Sequence, residues 1–354
     1  PIAASDHGSS RGHESDIAIV GMSCCLPGAD DLDGYWRLLS EGRCAIGPVP
    51  DQRWQAPRTR YAGLLSNVTD FDPAHFLLGD DDARAMDPQA LLLLEQALAT
   101  LSHTGYTARE VKGSATGVYI GARSQHQPAA STLAQARNPI VAVGQNYMAA
   151  NISHFFDLQG PSLVLDTACS SALVAMQMAI RALQAGDIGA ALVGGASVLA
   201  SDEAHRLFDS RQLLREGGEF HLFDGRAAGV VPGEGVGMVM LKTVQRALQD
   251  GDRIHAVVKS VAINNDGRTT GPATPNLAAQ KAVMQAAIDT SGVGDDQVGY
   301  IHVNGSGSEV TDLLEIKATQ AVYRPAGGPP CELGSMEPNI GHPLCAKGIA
   351  GFIA

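Results

Sequence analysis

The 354-residue sequence predicts a layered α/β protein. Short apolar or β-branched runs alternate with longer helical runs, the pattern of sheets covered by helices. Forty glycines provide tight turns and close approaches between helices and strands. Hydrophobic residues make up 45% of the chain and charged residues only 18%, which suits a large buried core.

In chain order, DIAIVGM (residues 16–22) predicts the first strand and residues 86–103 the first long helix. GVYIGA (117–122) reads as a second strand. SLVLDTA (162–168) reads as a third, whose run breaks at Asp166, Thr167 and Ala168 and delivers Cys169 into a helix over 170–185. Within residues 172–183 only Gln177 and Arg181 are strongly polar, so most of that helix is expected to be buried. AALVGGASVL (190–199), GVGMVMLK (235–242), AVVKSVAIN (256–264) and GYIHVNG (299–305) complete the strands, with a helix over 276–291 between the last two.

A net charge of −12 argues against a nucleic-acid-binding surface and against an anionic membrane surface. No apolar run reaches the length of a membrane span, and no secretory signal is visible. The six cysteines (Cys24, Cys25, Cys44, Cys169, Cys331, Cys345) lack metal-ligand spacing, so free thiols in the cytoplasm and no metal site are expected. Residues 1–15 are polar and aperiodic, as in a linker or disordered tail. His154, His205 and His221 have no recognisable partners in sequence.

Cys169 is the candidate nucleophile. A free cysteine is usually a small core residue. A cysteine on the first turn of a helix, however, meets backbone N–H groups without intrahelical partners, which favour the thiolate. Thiolates attack thioesters.

The motif DTACSSALVA resembles the nucleophile motif of the ketosynthases, the condensing domains of polyketide and fatty acid synthases. IAIVGMSCCLPGADDLDGYWRLL and MDPQALLLLEQALATLSHTGY are similar to the opening strand, loop and helices of modular polyketide ketosynthases. FFDLQGPS, GEGVGMVMLK, NNDGRTTGPATPN and NIGHPLCAKGIAG continue the resemblance in order, over residues 16–354. It implies a thiolase fold of five layers (αβαβα) from two pseudo-repeated halves, here 16–255 with the nucleophile and 256–354. It also implies a homodimer, other polyketide synthase domains as neighbours, and acyl carrier proteins that present substrate on phosphopantetheine, with no bound cofactor. The chain stops inside a helical run, and the family continues with further strands and a glycine-rich loop, so the second half is expected to be truncated.

The departures from the family pattern are as informative as the matches. The family pairs its cysteine with two histidines that stabilise the enolate released on malonyl decarboxylation. The second is His342, in NIGHPL; the first, from a His-Gly-Thr-Gly-Thr motif, is replaced by Asn304 in Asn304-Gly305-Ser306-Gly307-Ser308. An asparagine amide can donate a hydrogen bond but cannot exchange a proton at neutral pH. Ser306 and Ser308 keep the hydroxyls that, in the family, bind the pantetheine arm. Glu337 stands where the family carries a lysine, so it brings negative charge toward the site unless it is solvated or salt-bridged. His302 shares a strand face with Asn304, roughly 7 Å away, and is the one candidate to replace the missing histidine.

These features predict a ketosynthase-like acyltransferase that loads an acyl chain on Cys169 and passes it to a downstream carrier without elongation. Bond formation on the tethered chain, by cyclisation or condensation, is the alternative within the same chemistry. A non-catalytic ketosynthase-like partner is the alternative outside it, and retention of Cys169 argues against that.

Overall fold

In a computed structural model, the structure describes residues 16–354 except 56, 57, 272, 273, 326, 328 and 329. The expected tail, 1–15, lies outside the described residues. The main sheet has six strands: β1 (Ile17–Cys25), β4 (Thr116–Gly121), β5 (Ser162–Leu165), β6 (Ala190–Ser197), β7 (Gly235–Thr243) and β8 (Ala256–Val258), in the order β5-β4-β6-β7-β1-β8. β4 runs parallel to β5 and β6, while β7 is antiparallel to β6 and β1.

Both faces of this sheet are covered, which is why its strands read as nearly continuous apolar runs. Alternate residues serve the two sides. Ala18, Val20, Val118, Ile120, Leu192 and Met238 pack against the helices Pro88–Thr104 and Tyr147–Phe156. Ile17, Ile19, Tyr119, Val193, Val239 and Leu241 pack against the helices Ser171–Ala185 and Lys347–Ile353. Beyond this central helical layer lies a second, parallel sheet of β9 (Tyr300–His302) and β10 (Glu332–Gly334). The helices Leu277–Ser291 and Glu309–Tyr323 pack on each other in the outer layer. The sequence of layers is the αβαβα order of the thiolase fold.

Sequence and structure differ at short elements. β8 ends at Val258 rather than running to 264, and it joins the first sheet by pairing with residues 17–19 of β1. The pair β2 (Ile46–Pro48) and β3 (Tyr61–Gly63), three residues each, is too short for periodicity to reveal. The long helices fall where expected because their ends are written in side chains. Asp87 caps Pro88–Thr104 by accepting the Gln89 N–H at 2.9 Å, and Gly105 closes it in the left-handed region at φ 85°. No helix of the described residues is long and apolar enough to cross a membrane.

Candidate active site

Cys169, the candidate nucleophile, stands on a tight turn between β5 and the helix Ser171–Ala185. Helical geometry begins at Ser171 with Ser170 as its N-cap, so Cys169 lies just before the first turn rather than on it. Ala168 occupies the left-handed region at φ 58°, a strain of about 1–2 kcal/mol for a residue with a Cβ. Local hydrogen bonds hold that strain in place. Asp166 Oδ1 accepts the Ala168 N–H at 3.0 Å, and Ser171 Oγ accepts the Thr167 N–H at 2.9 Å while donating to Ala168 O. Ser170 Oγ donates to Thr167 O at 2.8 Å. Arg123 binds Asp166 with Nε and Nη2, at 2.6 and 3.0 Å, and with the Ala168 contact this lowers the Asp166 carboxyl from its ordinary value. Cys169 itself is exposed.

The close fit of this elbow to the sheet depends on Gly121. A Cβ there would lie 2.4 Å from Ala172 N and 2.5 Å from Ser171 C, so only glycine lets the helix start directly above β4. Most of the helix over 172–183 is buried or half-buried, as the sequence suggests. Gln177 is inside, whereas Leu173 and Met178 are each 38% exposed.

A cavity of about 490 Å³ opens beside Cys169, lined among others by Thr167, Leu173, His302, Asn304, Met336 and Lys347. Cys169 and Asn304, far apart in sequence, thus share one cavity. Asn304 follows β9 and is gripped by buried charges. Glu315 accepts its N–H at 2.6 Å and that of Gly305 at 2.9 Å. Lys347 donates to Asn304 O at 2.7 Å and to Oδ1 at 2.8 Å.

Lys347 in turn forms an ion pair with Glu337, whose side chain is fully buried and also receives the Ser335 hydroxyl. Burial pushes the Glu337 carboxyl up to about 7, against the opposing pull of Lys347. Glu337 therefore does not bring uncompensated negative charge to the site. The salt-bridged alternative holds, and the reason is Lys347, a residue that sequence reasoning missed. A lysine inside the apolar run CAKGIAGFI needs a buried partner, and that was the available sign.

His302 lines the same cavity with Nε2 3.2 Å from Met336 Sδ. Burial, followed by the nearby Lys347 charge, lowers it to about 4, so its imidazole is neutral at pH 7. Gly351 permits this placement, since a Cβ there would lie 2.8 Å from His302 Nε2.

The remaining expected residues are placed differently. His342 is buried and is not among the residues lining the cavity. Its Nδ1 accepts the Leu344 N–H at 3.1 Å, which puts the ring proton on Nε2, and burial lowers its pKa well below the ordinary histidine value. Ser306 spends its hydroxyl on Asp312 Oδ1 at 3.1 Å, and Ser308 meets Thr311 Oγ1 at 3.5 Å. Neither serine lines the cavity. Two histidines without recognisable partners in sequence have them here: His205 Nε2 lies 2.9 Å from Tyr61 O, and His221 Nε2 3.0 Å from Glu219.

A thiolase fold with an exposed cysteine on a strained strand-to-helix turn, facing a hydrogen-bonding wall, defines a transferase of the condensing-enzyme class. Residues 14–247 match the beta-ketoacyl synthase N-terminal domain and residues 255–354 its C-terminal domain, so the chain belongs to the beta-ketoacyl synthase family. It is 58% identical over 338 residues to polyketide synthase PksL of Bacillus subtilis, covering 96% of this chain and 7% of that protein. With polyketide synthase ThaG of Burkholderia thailandensis the identity is 37% over 343 residues, covering 95% of this chain and 6% of that one. The chain thus spans a small part of these curated relatives. Among solved structures, the oxazolomycin ketosynthase domain OzmH KS8 of Streptomyces albus shares 50% identity at a TM-score of 0.79, covering 96% of this chain and 77% of that one. The ketosynthase from module 6 of the bacillaene synthase of Bacillus subtilis shares 33% at a TM-score of 0.87, covering 96% and 60%. The curated relatives are polyketide synthases, and the solved structures are ketosynthases of such synthases.

Proposed function

We propose that this chain transfers an acyl group from a carrier-protein thioester to Cys169 and onward to a second carrier, without decarboxylative extension. The observation that carries the reading is Asn304: it shares the cavity of Cys169, and Lys347 occupies its side-chain oxygen. What remains at this position is an N–H donor without a titratable proton. Such a donor suits the oxyanion of a thioester exchange. It does not supply the imidazole that the family uses to stabilise the enolate of malonyl decarboxylation.

The exchange needs little else. Cys169 Sγ forms a bond to the acyl carbon as the carrier's C–S bond breaks, and the proton lost from Sγ ends on the departing pantetheine thiol. Reversal onto a second carrier completes the transfer. In this proposal His342, buried and not among the residues lining the cavity, supports the site from behind with a neutral imidazole and makes no contact with the thioester. Among the described residues the Ser308 hydroxyl has a long contact to Thr311, so it is freer than Ser306 to meet the pantetheine arm. Acyl carrier proteins, neighbouring synthase domains and a second copy of the chain are the expected partners.

One observation favours a second reading. His302 lines the cavity as Asn304 does and is neutral, so it could take over the missing imidazole and retain condensation. Intact-protein mass spectrometry separates the two. The protein is offered an acyl-thioester donor and then a malonyl-loaded carrier, and both proteins are weighed. Transfer moves the acyl group unchanged in mass. A carrier product extended by two carbons, with loss of carbon dioxide, overturns the transfer reading and assigns condensation to a site that includes His302.

A further inference from the structure

Lys347 begins a helix whose other residues, GIAGFI, are small or apolar, and its side chain is 9% exposed. A lysine so placed must be held by partners. It has three contacts: an ion pair with Glu337, and hydrogen bonds to Asn304 O and Oδ1 at 2.7 and 2.8 Å. An ammonium only donates, so the side-chain atom of Asn304 that it meets is the oxygen, and Nδ2 is the other branch of the amide. Glu315 fixes the backbone N–H of the same residue at 2.6 Å. Asn304 is therefore held at N, O and Oδ1, while the residue remains exposed on the wall of the Cys169 cavity.

We propose that Lys347, anchored by Glu337, is a positioning residue for acyl transfer that fixes the Asn304 amide as an N–H donor toward the thioester oxygen. The inference rests on the transfer reading of the site and names the residue that makes Asn304 competent for it. Without the ammonium, a half-turn about the terminal side-chain torsion exchanges the NH2 and carbonyl ends of the amide. The site would then present an acceptor to a carbonyl oxygen that gains negative charge, and repel it. With the ammonium in place, that half-turn would put an NH2 group against a cation. The contact also polarises the amide, and charge-assisted chains of hydrogen bonds donate more strongly than a lone amide. Glu337 balances the charge in the resting site, so the ammonium sits in the interior without attracting the acyl thioester itself.

The test is a coupling measurement on the full-length protein, with acetyl-pantetheine as acyl donor and single-turnover acylation of Cys169 followed by mass. Three changes are compared: Lys347→Met with Glu337→Gln, which removes both charges together, Asn304→Ala, and all three combined. Loss of one oxyanion donor lowers the rate by about 10²-fold, and that is the effect expected for Asn304→Ala. The charge-neutral pair should lower it by about 10-fold or more, and the combination should be no slower than Asn304→Ala alone. Alkylation of Cys169 by iodoacetamide forms no oxyanion and should keep its wild-type rate in every variant.

The proposal is overturned by wild-type acylation in the charge-neutral pair, by losses that multiply in the combination, or by an equal fall in alkylation. Should the charge-neutral pair fail to fold, Asn304→Asp gives an independent reading. It keeps the Lys347 contact as an ion pair and lacks the N–H, so it should lose about as much as Asn304→Ala; wild-type acylation there also overturns the proposal. Acylation precedes any later fate of the chain. A wild-type protein that extends the acyl group would therefore sink the transfer reading while leaving the Lys347 result standing.

Discussion

The two walls of the Cys169 cavity are built by opposite means. The Cys169 wall is local: Asp166, Thr167, Ser170 and Ser171 hold the turn within six residues, and Arg123 adds a long-range charge. The facing wall is assembled from afar by buried charges: Glu315 and Lys347 hold Asn304, and Glu337 pairs with Lys347. A turn held by hydrogen bonds between neighbours, with its one ion pair partly exposed, keeps its charges in contact with water. A wall held by desolvated charges is high-stakes, because each charge stays in the interior only while its partner does.

The largest effect should come from breaking the charged wall on one side only. Lys347→Met leaves Glu337 buried and unpaired, which destabilises by about 3–5 kcal/mol at neutral pH. In denaturant titrations the loss should shrink toward acid pH, where Glu337 takes up a proton. A loss that is equally large at pH 5 and pH 8 would show that the charge of Glu337 is not the cause.

Next in size is a steric break of the local wall. Gly121→Ala sets a methyl 2.4 Å from Ala172 N, where backbone rather than a flexible side chain must give way. A cost of about 1–3 kcal/mol is expected, with slower alkylation of Cys169 as the turn shifts. Unchanged stability and unchanged alkylation together would show that the turn does not depend on this contact.

The charged wall should also leave a mark on stability against pH. The Glu337 carboxyl is raised from 4.5 to about 7 in the folded protein, so between those values the native state binds more protons than the unfolded chain. Its contribution therefore falls as pH rises through that window. Glu337→Gln should remove this decline, so that the Tm of the wild-type protein relative to the variant drops from pH 4.5 to pH 7. A parallel pair of Tm profiles would contradict it.

The smallest effect belongs to the charge of the local wall. Arg123 is 47% exposed, and its pair with Asp166 is solvent-screened, so Arg123→Met should change stability by less than about 1 kcal/mol in urea unfolding. A loss as large as that of Lys347→Met would erase the contrast between the two walls.

The same contrast explains what could be read in advance. Continuous apolar runs such as 190–199 and 235–242 identify the central strands, since burial on both faces leaves little room for other residues. The elbow is legible because its hydrogen bonds join neighbours in sequence. The wall around Asn304 is not, because Glu315 and Lys347 lie 11 and 43 residues away and meet it only through the fold. Sequence places Glu337 beside the site but cannot supply its counter-charge. It also cannot show that His302 lines the cavity while His342 is buried and not among its lining residues.

Ala168 has a consequence for laboratory evolution of this domain. Ala168→Gly would relieve its left-handed strain, yet glycine also gives the unfolded chain more freedom, and the two terms are each about 1 kcal/mol and opposite in sign. A thermal screen would score such a variant as silent. The residue before Cys169 would nevertheless have gained access to conformations that aim the thiol elsewhere, and the damage would show in the alkylation rate alone. Selection on melting temperature is blind at a backbone position that helps to set the aim of Cys169.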